Sequence, residues 1–214
     1  MSKAPLKLAV FISGSGTTLQ HLVDRIADRS LDAQIVAVVA SRGDIRGVER
    51  ARAARLPLHI LESRDYFCDE EFSHDVFERC RTDGTELICL GGWLCLLDIP
   101  PDFRNRIMNI HPALLPSFGG KGMYGRRVHQ AVLDHGCKDS GCTVHFVDAT
   151  YDTGPIILQR ACPVLEDDTP ETLAHRIFEQ EKIAYPEAIR LFHEGRLSAE
   201  GRRVRILAQE KKRP

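Results

Sequence analysis

Asn109 and His111 lie two positions apart in the run Met108-Asn109-Ile110-His111-Pro112-Ala113-Leu114-Leu115-Pro116, and they put an amide donor beside a titratable imidazole. An amide N–H can stabilise an oxyanion and an imidazole can move a proton, so the pair has the minimum equipment for work at a carbonyl. The run follows a charged segment from Asp102 to Arg106 and ends between two prolines, which predicts a strand end running into a rigid turn. Alternation along a strand puts Asn109 and His111 on one face and leaves Ile110 to anchor the other. Pro112 biases His111 toward an extended backbone, which holds the ring in place. The same residues also read as nothing more than a polar strand end beside a turn.

A carboxylate that reaches His111 would orient the imidazole and favour its protonated form. Asp152 is the candidate, in the turn-rich loop Asp148-Ala149-Thr150-Tyr151-Asp152-Thr153-Gly154. A second chemical feature lies near the N-terminus, where Leu6 to Ile12 is a strand-length apolar run followed at once by Ser13-Gly14-Ser15-Gly16-Thr17-Thr18 and an amphipathic stretch from Leu19. Glycines let a backbone approach a ligand closely, and N–H groups at a helix start together with threonine hydroxyls suit an anion such as phosphate. The P-loop pattern is absent and Leu19 replaces the third glycine of a dinucleotide fingerprint, so neither ATP nor a dinucleotide is indicated. A tight turn that binds nothing is the other reading.

These groups need a scaffold, and strand, glycine loop, helix is the opening of an α/β fold with a doubly wound, mostly parallel sheet flanked by helices. Gln34 to Ala40 reads as a second buried strand, Leu58 to Leu61 as a short third and Glu86 to Leu90 as a fourth, with helices at Val48 to Arg55 and Phe72 to Cys80 between them. Gly91-Gly92-Trp93 closes the fourth strand, where an open parallel sheet tends to place a ligand crevice. Trp93 itself reads as core, beside a wall of Leu94, Leu96 and Leu97. Ser117 to Gly125 holds four glycines in nine residues and is a loop, one that closes over ligand or only connects. A helix resumes at Val128 to Leu133. Gly141 to Val147 alternates as a strand that turns His145 the same way as Thr143, and Pro155 to Val164 is another strand. Thr169-Pro170 starts a helix that Pro186 either kinks or divides.

With 29 Lys+Arg against 30 Asp+Glu, the formal charge of −1 argues for no general nucleic-acid or membrane surface. No apolar run approaches the ~20 residues that span a bilayer, and the N-terminus lacks a signal-peptide layout, so the cytoplasm is expected. The seven cysteines are odd in number and contain no C-x-x-C pair, which disfavours a disulfide framework and a metal site of the usual spacing, and none receives a chemical role. No repeat, low-complexity tract or linker divides the chain. It reads as one domain over 1–200 and a basic, solvated tail over 201–214.

NIHPALLPSF, GSGTTLQ, GCTVHFVDATYDTGPIILQ and QEKIAYP together resemble the phosphoribosylglycinamide formyltransferases of the folate formyltransferase superfamily, over roughly Leu6 to Arg196. The resemblance implies transfer of a formyl group from 10-formyltetrahydrofolate to the amine of phosphoribosylglycinamide in purine synthesis, through a tetrahedral intermediate and without a metal. It implies that Asn109 donates to the formyl oxygen, that His111 is general acid and proton shuttle, and that Asp152 holds and charges His111. It further implies that Gly14, Ser15, Gly16, Thr17, Thr18 and Leu19 take the ribonucleotide phosphate and that Glu181 contacts the same substrate. Arg64 would meet the glutamate end of the folate, and Leu94, Cys95, Leu96 and Leu97 with Asp148, Ala149, Thr150 and Tyr151 would line the pterin pocket. Small-molecule partners and a monomer or homodimer are expected.

The chain departs from the family pattern at three places. Thr18 stands where Asn is usual, Cys95 stands where an Arg is common, and the loop from Gly119 is longer, so His129 carries no role from the family. Formyltetrahydrofolate hydrolase and methionyl-tRNA formyltransferase share Asn109, His111 and Asp152 in pattern but usually carry an extra domain, for which a chain of this length leaves little room. A nucleotide-binding module without chemistry is the reading outside enzymes.

Overall fold

A computed structural model describes residues 4–209, which fall into two compact units. The first holds the described residues as far as Ile110 together with Val147–Tyr151, and the second holds His111–Phe146 and the described residues from Asp152 onward. The chain passes from one to the other within strands and turns, so no linker composition marks the division.

In the first unit, strands β1 (Leu6–Ile12), β2 (Ala33–Ala40), β3 (Leu58–Ile60), β4 (Leu87–Leu90) and β5 (Ile107–His111) alternate with helices α1 (Thr17–Ala27), α2 (Arg46–Ala53) and α3 (Asp69–Thr82). The order is β3-β2-β1-β4-β5 and every pairing is parallel. Strands covered on both faces need apolar side chains on both, which is why β1, β2 and β4 are nearly continuous hydrophobic runs. Ala9, Phe11, Val39, Ile88, Phe72, Val76 and Trp93 share one core, with the Phe11 and Trp93 rings 5.1 Å apart. Trp93 is thus a core residue, as expected. The helices begin two or three positions before the apolar periodicity does. Their first turns are polar, as in Asp69, Glu70 and Glu71 of α3, where acidic groups complement the helix dipole.

The strand order reverses between β1 and β4, the switch point where open α/β sheets bind ligands. The loops leaving those two strands are stitched together there. Gly91 N–H donates to Phe11 O at 2.8 Å, Ser13 N–H to Gly92 O at 3.2 Å, and Leu94 N–H to Ser13 Oγ at 3.0 Å.

The second unit contains α4 (Arg126–Asp134), β6 (Asp139–Phe146), β7 (Ile156–Pro163), α5 (Pro170–His193), β8 (Leu197–Glu200) and β9 (Arg203–Ile206). β6 and β7 are antiparallel, with a register shift between Val144 and His145, and β9 joins β7 in parallel and β8 antiparallel. Parallel pairings therefore dominate, and the α/β, mostly parallel reading holds. Helix α5 opens on a capping box between Thr169 and Thr172 with Pro170 in the first turn. It runs through Pro186 without a break, because Ala184, Tyr185, Ala188 and Ile189 are buried around the missing N–H. The stretch read as a basic, solvated tail includes β9 over Arg203–Ile206. That strand is mostly exposed, as expected, and short basic strands give little periodicity to read. Residues 210–214 lie outside the described residues.

Candidate active site

β5 carries Asn109 and His111 on one face, two residues apart, with Ile107, Met108 and Ile110 buried around them. The turn after His111 is pinned inside the second unit. The buried Thr143 hydroxyl donates to Ala113 O at 2.7 Å and accepts from Leu115 N–H at 3.0 Å, while Gln159 Nε2 donates to Leu115 O at 2.9 Å. The prolines stop the strand, and this network fixes where the stopped chain goes.

His111 is 3% exposed. Its Nδ1 stands 3.5 Å from Asp152 Oδ2, and its Nε2–H donates to Phe118 O at 2.9 Å. The structure thus brings together the imidazole and the carboxylate that the sequence pairs. Asp152 has a φ of 57°, the left-handed region that Asp tolerates better than most residues, and its Oδ2 also accepts Gly120 N–H at 2.9 Å. A Cβ on Gly119 would lie 3.1 Å from Asp152 Cβ, so the glycine loop approaches the carboxylate as closely as it does only because that position is bare. His145, which carried no role in the sequence reading, turns Nε2 to Asp152 Oδ1 at 3.7 Å. A histidine in a strand buried almost end to end was the available signal, since a buried polar ring needs a partner.

In the electrostatics of the ring, burial opposes the carboxylate. Burial holds the His111 pKa below the ordinary imidazole value, and His145 adds to that, outweighing the opposing influence of Asp152 and the Phe118 carbonyl. Asp152 does favour the charged ring, as expected of a neighbouring carboxylate, but burial outweighs it. For Asp152 burial disfavours the charge, yet the His145 hydrogen bond, the His111 charge and Gly120 N–H together hold its carboxyl below the usual range. Buried His129 on α4 is likewise pushed down by burial and by His111.

Glu181 lies on α5, intermediate in exposure, and desolvation pushes its carboxyl up to about 8. A carboxyl held mostly protonated near neutrality donates as well as accepts hydrogen bonds.

In the first unit, Gly16 caps α1 with φ 69°, and its Cβ position would meet Gly47 Cα at 2.7 Å. Gly47 N–H donates to Gly14 O at 3.1 Å, and Arg50 Nε donates to Ser15 O at 3.0 Å. The first turn of α1 contains no acidic residue, so the N–H groups of Thr17, Thr18 and Leu19 can receive an anion. Arg50, missed in the sequence, brings a cation to that loop.

Leu94 and Leu96 expose apolar surface, whereas Leu97 packs in the core, so the first two are the members of that run that can face a ligand. Tyr151 OH donates to Leu94 O at 3.4 Å and ties the Asp148–Tyr151 loop to this wall, and within the loop Thr150 N–H donates to Asp148 Oδ1 at 3.1 Å. The Cys95 thiol is raised in pKa by burial and bonds to Ser41 and Ser63. Those serines, with Arg42, Asp44, Glu62 and Arg64, line a crevice of about 460 Å³. Arg64 pairs with Glu62 at 2.5 Å, and Arg42 with Asp44 at 2.7 Å. Among the described residues no group of three His, Cys, Asp or Glu side chains could hold a metal ion, and no helix is long and apolar enough to cross a membrane.

Residues 6–189 match the formyl transferase family model. The chain is 39% identical over 194 residues to the chloroplastic phosphoribosylglycinamide formyltransferase of Arabidopsis thaliana, covering 89% of this chain and 66% of that protein. It is 38% identical to the trifunctional purine biosynthetic protein adenosine-3 of Drosophila pseudoobscura pseudoobscura, covering 92% of this chain and 14% of the fly protein. The chain thus spans just under two thirds of the plant relative and a small part of the fly one. Among solved structures, glycinamide ribonucleotide transformylase 1 from Symbiobacterium toebii superposes with a TM-score of 0.90 at 45% identity, covering 97% of this chain and 96% of that one. Matched over most of its length by that family model, the chain belongs to the formyl transferase family.

Proposed function

We propose that this chain transfers the formyl group of 10-formyltetrahydrofolate to the amine of phosphoribosylglycinamide, a step of purine synthesis. The observation that carries the reading is the 3.5 Å pairing of His111 with Asp152, on a strand that presents Asn109 from the same face. The neutral amine attacks the formyl carbon, negative charge develops on the former carbonyl oxygen, and the Asn109 amide donates to it. A donor of this kind commonly lowers such a barrier by about 3 kcal/mol. His111, resting neutral, accepts the proton that the attacking nitrogen sheds and delivers it to N10 as the C–N10 bond of the tetrahedral intermediate breaks. Asp152 holds the ring and stabilises the transient imidazolium. Proton transfer by a positioned group adds roughly 10²- to 10⁴-fold. For His111 Nε2 to accept that proton, the ring must first give up its bond to the Phe118 carbonyl and carry its own proton on Nδ1, toward Asp152.

The open helix end at Gly14–Leu19 with Arg50 alongside supports a phosphate there, and Glu181 suits a hydroxyl or amine of the same substrate. Thr18 keeps a donor where the family has Asn. Exposed Leu94 and Leu96, with Asp148, Ala149, Thr150 and Tyr151, fit a flat pterin, and the Arg64 crevice fits a carboxylate-bearing tail. Cys95, bonded to two serines, supplies no charge to that wall. A cytoplasmic monomer or homodimer working on small molecules completes the proposal.

The test is incubation with 10-formyltetrahydrofolate, with and without phosphoribosylglycinamide. Folate turnover that depends on the acceptor is expected. Turnover without it would indicate a deformylase, and none under either condition a binding module.

A further inference from the structure

The chain segments leaving β1, β2 and β4 meet at one side chain of the first unit, the half-buried Ser13. Leu94 N–H donates to its Oγ at 3.0 Å, and the hydroxyl of Ser41, buried just past β2, donates to the same oxygen at 2.7 Å. Both lone pairs of the Ser13 oxygen are thereby taken by neighbours from other strands. Ser41 also bonds the Cys95 thiol, which bonds Ser63 in turn, so the tie runs on from the glycine loop into the wall at 94–97. The two loops touch as well. A Cβ on Gly91 would stand 3.2 Å from Thr18 Cβ, so the bare glycine lets the chain after β4 lie against the first turn of α1. Gly91 N–H to Phe11 O and Ser13 N–H to Gly92 O hold the strand ends, and at Leu94 a side chain takes over from backbone pairing.

We propose that Ser13 is a positioning residue for formyl transfer: its hydroxyl sets the separation between the loop that takes the ribonucleotide phosphate and the wall that takes the pterin. The inference rests on the reading that puts those two substrates there. An open helix end binds an anion without help from Leu94, and an apolar wall binds a flat ring without help from the glycine loop, so neither substrate needs the tie in order to bind alone. The reaction between them does need it. Attack is fast only when both reacting atoms are held near contact, and a misplacement of about 1 Å costs on the order of 10²-fold. A hydroxyl at the root of one loop that bonds the backbone of the other fixes such a distance. Deleting it leaves both backbone bonds between the strand ends in place, so the fold is expected to survive.

The experiment compares the full chain with Ser13→Ala, which deletes the hydroxyl, and Ser13→Thr, which keeps it, with thermal unfolding as a check on folding. Calorimetry gives the dissociation constants of phosphoribosylglycinamide and of 10-formyltetrahydrofolate, each alone, and rapid quench gives the single-turnover rate with both saturating. Ser13→Ala is expected to slow that rate roughly 10- to 100-fold while both dissociation constants stay within about threefold of wild type. Ser13→Thr should return most of the rate. A wild-type rate at saturation in Ser13→Ala overturns the proposal, whether or not one substrate binds more weakly. An equal loss in the alanine and threonine variants overturns it too, since the hydroxyl is then not what matters. Ser41→Ala keeps the Leu94 bond but removes the one that orients the Ser13 hydroxyl, so it should slow the same rate about threefold or more with unchanged binding. A wild-type rate there, beside a Ser13→Ala chain that does not fold, also overturns the proposal. Acceptor-dependent turnover in the wild type together with wild-type rates in the variants removes only this inference. Absence of acceptor-dependent turnover in the wild type removes the proposed function and the inference with it.

Discussion

His111 and Asp152 meet at 3.5 Å inside the second unit, with the imidazole 3% exposed and His145 Nε2 3.7 Å from the other carboxylate oxygen. The carboxylate does not decide the charge of the ring. Desolvation outweighs it, so the ring's pKa lies below the ordinary imidazole value while the Asp152 carboxyl is held below the usual carboxylate range.

Asp152→Asn should lower kcat by about 10²- to 10⁴-fold, because it removes the charge that stabilises the transient imidazolium while keeping an oxygen for Gly120 N–H. Melting within a few degrees of wild type is expected, and steady-state kinetics beside thermal unfolding checks both halves. Wild-type turnover in the variant would dissolve the pairing.

The acid side of the pH response has a definite sign. The folded His111 pKa lies below its ordinary 6.5, so the unfolded chain binds the proton more readily and the fold loses stability as pH falls through about that value. The folded Asp152 pKa lies below its ordinary 3.8, so its contribution is present above that value and is lost as pH falls through the lowered one. The difference in melting temperature between wild type and His111→Asn should therefore shift in favour of the variant from pH 7 to pH 5. A difference that stays constant would contradict a buried, neutral ring.

Glu181 runs the other way. Its folded pKa of about 8 lies above the ordinary 4.5, so stability is greatest below 4.5 and declines as pH rises toward 8. Glu181→Gln should remove that decline and melt higher than wild type at pH 9, with little difference at pH 5. Melts at the two pH values decide it.

Gly16→Ala combines a left-handed φ of 69° with a Cβ 2.7 Å from Gly47 Cα, so the turn between β1 and α1 must open. A loss of about 1 to 3 kcal/mol in stability is expected, with a raised KM for the ribonucleotide and a nearly unchanged kcat. Thr18→Asn, by contrast, should leave that KM close to wild type. Kinetics that move kcat in place of KM would detach this loop from the phosphate.

The parallel strands were readable because burial on two faces leaves only apolar residues, and Thr169-Pro170 marked α5 because its capping is local. Asn109 and His111 were visible for the same reason, as polar groups at fixed spacing in an otherwise apolar strand. What escaped depends on contacts between distant positions. Arg50 reaches the glycine loop from another helix, and His145 acquires a partner only through a turn with φ 57° at Asp152. The direction of the His111 shift escaped too, since desolvation depends on everything packed around a ring and not on its nearest charge. β9 is short, basic and mostly exposed and β8 has only four residues, so nothing in their composition separated a hairpin from a tail.

The crevice at Arg42 and Arg64 has a consequence for selectivity. Each guanidinium already has a carboxylate of its own, Asp44 and Glu62, so an arriving anion displaces a resident and gains no bare cation. Ion exchange of this kind rewards shape above charge count: a ligand that grips a guanidinium with two oxygens can evict the incumbent, whereas a small inorganic anion of equal charge gains little.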